Sequence, residues 1–592
     1  MSELITFITD SQSRIFHDSP VMPNIKNASV LANEPFSFTY AYKLAFGPYM
    51  SISVSVTCDR AELPISVYKV ESVPITHPYQ KTYESTREKP FDNTFHEVAA
   101  EEIGVGLYPD IMLPRSAAPS ILRIENDCKC PYYEENETNL LEADDVAFHS
   151  LIITLNEEKR SIPSGDYRIK LTAISLVTGE AVKEDEFTLT VIGAALPKIN
   201  FKYTNWFHYD CLADIHGVEL FGEEYFELLG SYFKNAADYG MNLLLIPAIT
   251  PALDTPVGMY RAKAQLVGIT KSENGYSFDF SALERLIRLA LDCGIEYLEH
   301  PHLLTQWGAE HAPAIYATVN GEEKRIFGWE TDASSDEYRN FLESYIPAFR
   351  SFAERIGIGD KVFYHISDEP TSSVIESYGK AASIADPLLQ GAGQGDALSE
   401  IEFYRNGLVK TPIVCIDSVE EFCGECDDLW GYYTGGYYPG KDLEKCTNRL
   451  ITTKPYRARI LGLHAFRYRL TGFLHWGFNF YYYAMSRGLY NPALDPCGYK
   501  RMPGAAYIVY PGVSEALASL REIYMREAVC DLAAMKLLES MTSYEYVIGL
   551  AERHFGGKIT CLTVPSSAEQ MTSFRELINR EISNRLKKIK GE

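Results

Sequence analysis

Residues 1–195 carry short runs in which apolar and polar positions alternate, separated by frequent turns. Ser51–Val56 alternates at every step, and Tyr167–Ile174 does the same. Phe187–Ile192 follows after a turn around Thr178–Gly179–Glu180. Period-two alternation over runs this short marks half-buried strands. The last two runs read as a hairpin that closes a β-sandwich. Gly193–Pro197 then reads as a linker.

From Asn200 the pattern changes to strand, loop and helix, repeated. Glu223–Tyr239, Phe280–Cys293 and Ser335–Ile356 show helical spacing, and each is followed by a glycine. Between them lie apolar runs at Phe201–Tyr203, Asn242–Pro247, Ile295–Glu299 and Lys361–His365. Further strands are expected at Leu388–Gln390, Ile413–Ile416, Leu429–Tyr433 and Gly472–Trp476, eight in all. Eight strands alternating with helices predict a (β/α)₈ barrel over residues 198–513. From Ser514 to the end the chain reads as a helical extension, with apolar spacing over Ser519–Ser540 and a charged amphipathic helix over Ser573–Lys590. The expected fold is thus multidomain α/β: a sandwich at 1–195, a barrel at 198–513 and helices at 514–592.

A net charge of -25 argues against nucleic acid and anionic membrane as partners. No run approaches a membrane span. The N-terminus, Met1–Phe7, lacks the basic and apolar regions of a secretion signal, and 12 cysteines in a chain of 592 residues fit free thiols. A cytoplasmic protein is the expectation; the sequence leaves its oligomeric state open.

The chemistry gathers at predicted strand ends. The fourth strand runs into Tyr364-His365-Ile366-Ser367-Asp368-Glu369-Pro370. Two neighbouring carboxylates repel, which raises the pKa of one, and a neutral acid beside an ionised one is what a glycosidase uses. Pro370 disfavours helix at Glu369, so the acid is expected in extended backbone. The same residues also suit a helix N-terminus, and local sequence leaves both readings open. Other strand ends offer His208 and Asp210, Asp254, His300, His302, Gln306 and Trp307, His365, Asp396, Tyr432 and Tyr433, and His475, Trp476 and Asn479. On a barrel they form one rim, with Trp307 and Trp476 as sugar platforms. The histidines could hold a metal, but no tight ligand spacing is present. Cys423-Gly424-Glu425-Cys426 and Cys128-Lys129-Cys130 lack a second pair at zinc-finger spacing. No metal and no cofactor are expected.

An ordered set of stretches resembles a known family. They are Trp206–Ala213, Thr250–Thr255, His302–Ala309, Phe327–Thr331, His365–Pro370, Asp396–Ser399, His475–Tyr481 and Tyr510–Gly512. The chain resembles the bacterial glycoside hydrolases catalogued as domain of unknown function 4091, related to glycoside hydrolase family 123. The resemblance implies exo-acting β-N-acetylgalactosaminidase chemistry that retains configuration by substrate assistance. It implies Asp368 as the residue that orients the 2-acetamido group and Glu369 as the acid and base. As sugar contacts it points to His208, Asp210, Asp254, His302, Gln306, Trp307, His365, Asp396, Tyr433, His475, Trp476 and Asn479. One departure is Gly504-Ala505, where the family is expected to carry Gly-Asp. Three other readings compete: a glycosidase for another sugar, a metal-dependent hydrolase, and a carbohydrate-binding protein without activity.

Overall fold

The computed structural model describes residues 3–47, 50–76, 84–86, 89–92, 104–115, 141–305, 309–433, 447–498 and 502–590. Its N-terminal part is two five-stranded sheets. In one, Leu4–Asp10, Phe36–Leu44, His149–Leu155, Ile65–Ile75 and Gly106–Arg115 lie side by side, all antiparallel. In the other, Asn27–Leu31 joins Ala181–Ile192 in parallel, and Gly165–Ser175, Met50–Cys58 and Leu141–Ala143 follow antiparallel. The expected hairpin is present, with Tyr167 opposite Leu189. Both sheets feed one core, in which Phe187 packs on Phe38 with ring centroids 5.0 Å apart.

Eight parallel strands form the centre: β1 Lys202–Asn205, β2 Leu243–Leu245, β3 Tyr297–His300, β4 Val362–Tyr364, β5 Gly393–Leu398, β6 Thr411–Cys415, β7 Trp430–Tyr432 and β8 Gly472–His475. They pair in the order β1-β8-β7-β6-β5-β4-β3-β2, so the barrel is closed except between β1 and β2. Asn242 bridges that seam. Its Oδ1 accepts the Tyr203 N–H at 2.8 Å, its own N–H donates to the Tyr203 carbonyl at 3.0 Å, and its Nδ2 donates to the Phe201 carbonyl at 3.0 Å.

The fifth strand is not at Leu388–Gln390, which ends the helix Ile375–Leu388 and its C-terminal turn. Gly391, with φ 79°, breaks the helix, and the strand starts two residues later. Its sequence, Gly-Gln-Gly-Asp-Ala-Leu, lacks the β-branched residues that signal strands. Gly395 is required there because a Cβ would stand 2.1 Å from the Thr411 carbonyl oxygen. The hydrophobic pattern also gives no sign of a four-stranded sheet outside the barrel, made of Gly268–Ser272, Gly275–Asp279, Ile315–Val319 and Glu322–Phe327. These strands are short, and Glu322–Phe327 opens on four exposed charged residues in place of an alternation.

Alternation along the barrel strands sorts their side chains into two sets. Trp206, Leu243, Leu245, Phe363, Ile413, Cys415, Trp430, Tyr432 and Leu474 fill the interior. Tyr203, Leu244, Leu298, Tyr364, Leu398, Val414, Tyr433 and Phe473 face the helices. The C-terminal helices are Leu520–Met541, Tyr544–Phe555 and Ala568–Lys590. Buried ion pairs tie them to the other parts: Arg521 to Asp110 of the first sheet at 3.0 Å, Arg459 to Asp531 at 2.7 Å, and Arg575 to Glu34 at 2.6 Å. Among the described residues no helix is long and apolar enough to cross a membrane.

Candidate active site

β4 stops at Tyr364, and the next residues cross the end of β5 rather than continuing as strand. On one side Leu303 and Leu304 donate to the carbonyls of His365 and Ile366 at 3.0 and 2.9 Å. On the other, Asp396 Oδ1 accepts the N–H groups of Ile366 and Ser367 at 2.8 and 3.2 Å. The Glu369 N–H then donates to the Ala397 carbonyl at 3.0 Å. These bonds bend the chain so that Glu369 adopts φ 44°, a left-handed conformation and not the extended one expected. Pro370 still excludes the right-handed helix, but the bonds to β5 decide the turn. Such a conformation in a non-glycine residue costs ~1–3 kcal/mol and persists where surrounding structure over-determines it, as at active sites.

The two carboxyls have unequal surroundings. Glu369 lies at the accessible mouth of the barrel, and its Oε1 accepts a hydrogen bond from the Tyr432 hydroxyl at 3.0 Å. No described residue donates to Asp368. Burial, the neighbouring Glu369 and the Asp396 charge all push the Asp368 pKa well above the usual carboxylate range. Burial also raises Glu369, opposed by the Tyr432 bond. Because the Tyr432 bond opposes it and no further described carboxylate adds to it, the rise is smaller at Glu369, and the proton shared by the pair favours Asp368. Tyr432→Phe removes the donor that favours ionised Glu369. The alkaline limb of the pH–rate profile should therefore move to higher pH, with kcat lower by up to about tenfold.

Residues 206–538, more than half of the chain, match the model for the glycoside hydrolase 123 catalytic domain. The chain belongs to glycoside hydrolase family 123. The whole fold is similar to that of a family 123 glycoside hydrolase from Clostridium perfringens, solved in work on glycolipid glycan hydrolysis. The TM-score is 0.67 at 13% identity, over 98% of both chains. A family 2 β-galacturonidase from Eisenbergiella tayi bound to galacturonate reaches a TM-score of only 0.30 at 9% identity, over 84% of this chain and 69% of that one, too little to carry an argument. No curated protein matches the sequence significantly. As a family 123 glycoside hydrolase the protein is an enzyme that acts on glycosides, and its substrate is a carbohydrate.

In this glycoside hydrolase His365 points into the barrel below the turn. Its Nδ1–H donates to the Gly395 carbonyl at 3.0 Å, and its Nε2 faces Glu299 Oε1 at 3.4 Å. Thr204 donates to the other Glu299 oxygen at 2.9 Å. His302 stacks on His365 with centroids 4.7 Å apart, and no described residue bonds its ring nitrogens. Burial and the neighbouring histidines push its pKa well below the ordinary value. Trp476 stands half-buried on the interior side of the mouth. Asp254, with φ 51°, sits in the loop after β2, where its carbonyl accepts the Ser486 hydroxyl at 2.8 Å. Gln306 and Trp307 lie outside the described residues, as does the Cys128–Cys130 pair.

Other sequence candidates are committed elsewhere. Arg261 takes both oxygens of Asp210 and donates from Nη1 to His208 Nδ1 at 3.2 Å; the His208 Nε2–H donates to the Trp476 carbonyl at 2.9 Å. Asn479 brackets the His208 backbone, accepting its N–H at 2.8 Å and donating to its carbonyl at 3.1 Å. These residues fasten the chain beyond β8 and the loop after β2 to the end of β1. Arg261 gave no sequence signal, since nothing in its neighbourhood marks it as the partner of Asp210. Arg261→Ala leaves Asp210 buried without its counter-charge, with side chains only 6% and 3% exposed. The expected loss of stability is about 3–5 kcal/mol, measured by urea unfolding.

Strand parity turns Tyr433, His475 and Asp396 away from the interior. Tyr433 packs edge-on against Phe473, with centroids 4.9 Å apart. His475 Nδ1 accepts from Arg449 at 2.5 Å and from the Gly477 N–H at 3.1 Å, inside the helix layer. His300 likewise leaves the interior and bonds the Tyr345 hydroxyl at 2.8 Å. Tyr432, one residue before Tyr433, is the one that meets Glu369. Among the described residues no three His, Cys, Asp or Glu are arranged to hold a metal ion.

Proposed function

We propose that this family 123 enzyme is an exo-acting β-N-acetylgalactosaminidase that retains configuration with help from its substrate. The observation that carries the reading is the Asp368–Glu369 pair, two adjacent carboxyls of unequal environment on one clamped turn at the barrel mouth. Protonated Glu369 gives its proton to the glycosidic oxygen as the C1–O bond breaks. The 2-acetamido oxygen bonds to C1 in the same step and forms an oxazolinium ring. Asp368 accepts a hydrogen bond from the acetamido N–H and offsets the positive charge that grows on that ring. Glu369, now a carboxylate, takes a proton from water, whose oxygen attacks C1 and reopens the ring. In the folded protein the shared proton favours Asp368; an N–H aimed at Asp368 stabilises its anion and leaves the proton on Glu369.

Among the described residues Glu299 also lines the barrel interior, but it lies deep and is held by Thr204 and His365. A nucleophile supplied by the substrate needs no further carboxylate. In this reading residues 1–195 are a β-sandwich, 198–513 a (β/α)₈ barrel and 514–592 its helical extension. Cys211 and Cys415 are buried free thiols, in keeping with the cytoplasmic location we propose. A thiazoline analogue of the N-acetylated sugar mimics the cyclic intermediate and should inhibit far below the substrate KM. Inhibition no stronger than by the free sugar would count against the ring-forming step.

A further inference from the structure

One carboxylate that binds the catalytic turn does not face the sugar site. Asp396 lies on β5 with its side chain turned toward the helices. We propose that Asp396 is a positioning residue of this enzyme: it templates the turn that carries Asp368 and Glu369, and its charge sets how that pair shares a proton. The inference rests on the assignment of that pair as the catalytic carboxyls.

The template is two consecutive residues. Asp396 Oδ1 collects the N–H groups of Ile366 and Ser367, and the Ala397 carbonyl collects that of Glu369. The other Asp396 oxygen accepts the Tyr378 hydroxyl from the helix Ile375–Leu388. Asp396 is thus fixed by a helix on one side and fixes the turn on the other. A left-handed Glu369 needs such over-determination to persist. Parity is why this residue cannot be a sugar contact: its neighbour Ala397, with Gly395, takes the inward side of β5.

Among the described residues, titratable groups face Asp396 from the barrel, the helix and the turn. His365 Nδ1 stands 3.8 Å away on the barrel side, backed by Glu299. Tyr378 faces it from the helix, where Asp386 is engaged by Gln394 at 3.1 Å. Asp368 faces it from the turn, and the Asp396 charge raises Asp368. Burial pushes Asp396 itself up to about 7, against His365, Tyr378 and the two N–H groups. Its negative charge is therefore present mainly above neutral pH, so its field acts on the alkaline limb of the pair's titration and not on the acid limb.

Asp396→Asn separates charge from shape, since the amide oxygen can still accept both N–H groups and the amide nitrogen can donate to Tyr378. On a glycoside whose leaving group needs a proton, its alkaline limb should move to lower pH while the acid limb stays in place. Asp396→Ala removes the template; kcat should fall roughly 100-fold, with KM within a few-fold of wild type. Tyr378→Phe should give a smaller loss of the same kind. Thermal melts accompany each variant, and if Asp396→Ala is unfolded at the assay temperature, the other two decide. A profile of Asp396→Asn that superimposes on wild type overturns the electrostatic role. Unchanged kcat in Asp396→Ala, or in Tyr378→Phe where that variant decides, overturns the positioning role. A raised KM at constant kcat would make Asp396 a sugar contact instead. Glu369→Gln, assayed in parallel, separates the two levels: if it is fully active, the assignment of the pair fails. If it is damaged while Asp396 variants behave as wild type, only the role of Asp396 fails.

Discussion

Glu369→Gln should lose on the order of 10²–10⁴-fold in kcat/KM on glycosides whose leaving group needs a proton. The carboxyl sits at the mouth of the barrel, bonded to Tyr432, on a turn that hydrogen bonds from three of its N–H groups hold in a left-handed conformation. Glutamine keeps the size and the bond from Tyr432 but cannot deliver a proton. Aryl glycosides with strongly acidic phenols need little protonation to depart, so their first step should be spared. A steep dependence of rate on leaving-group pKa should therefore appear in the variant and be shallow in the wild type. Equal losses on both kinds of substrate would assign Glu369 a role other than acid. So would a wild-type slope as steep as that of the variant.

This test was legible in the sequence because Asp-Glu-Pro at a strand end is a local signal. What surrounds it was legible in part. Long apolar runs such as Leu243–Leu245 and Ile413–Cys415 announced their strands, since a buried parallel strand is apolar on both faces. β5 did not, because a close approach to β6 demands Gly395 where a branched side chain would otherwise signal strand. Strand ends placed Asp396, Tyr433 and His475 on the rim, but a rim position says nothing about which way a side chain turns. One residue of parity separates Tyr432 on the acid from Tyr433 against Phe473, and sequence alone does not set the phase. Asp210 reads as a candidate ligand until Arg261, 51 residues on, is seen to occupy both of its oxygens. Such long-range pairing leaves no trace in a single chain.

The second large effect concerns Asp368. Asp368→Asn should lower kcat/KM for the 2-acetamido substrate by ~10²–10³-fold, a loss typical for removal of one group that stabilises developing charge. Unlike Glu369→Gln, it should do so equally for good and poor leaving groups, because closing the oxazolinium ring precedes or accompanies departure in both. The asparagine cannot offset the positive ring, and it can turn a donor toward the acetamido N–H. The raised pKa of Asp368 adds a sign. Loss of its negative charge removes the repulsion between the pair, so Glu369 should hold its proton less tightly and the alkaline limb should fall to lower pH. A loss confined to poor leaving groups would instead make Asp368 part of the proton delivery.

The central claim is that the sugar supplies its own nucleophile. The most direct measurement compares kcat/KM of the purified enzyme on matched aryl β-galactosides with a 2-acetamido or a plain 2-hydroxyl group. An intramolecular nucleophile held in reach is worth several orders of magnitude, so the acetamido substrate should be faster by at least about 10³-fold. Equal turnover of the two sugars, or a 2-fluoro sugar trapped as an ester on a protein carboxylate, would contradict it.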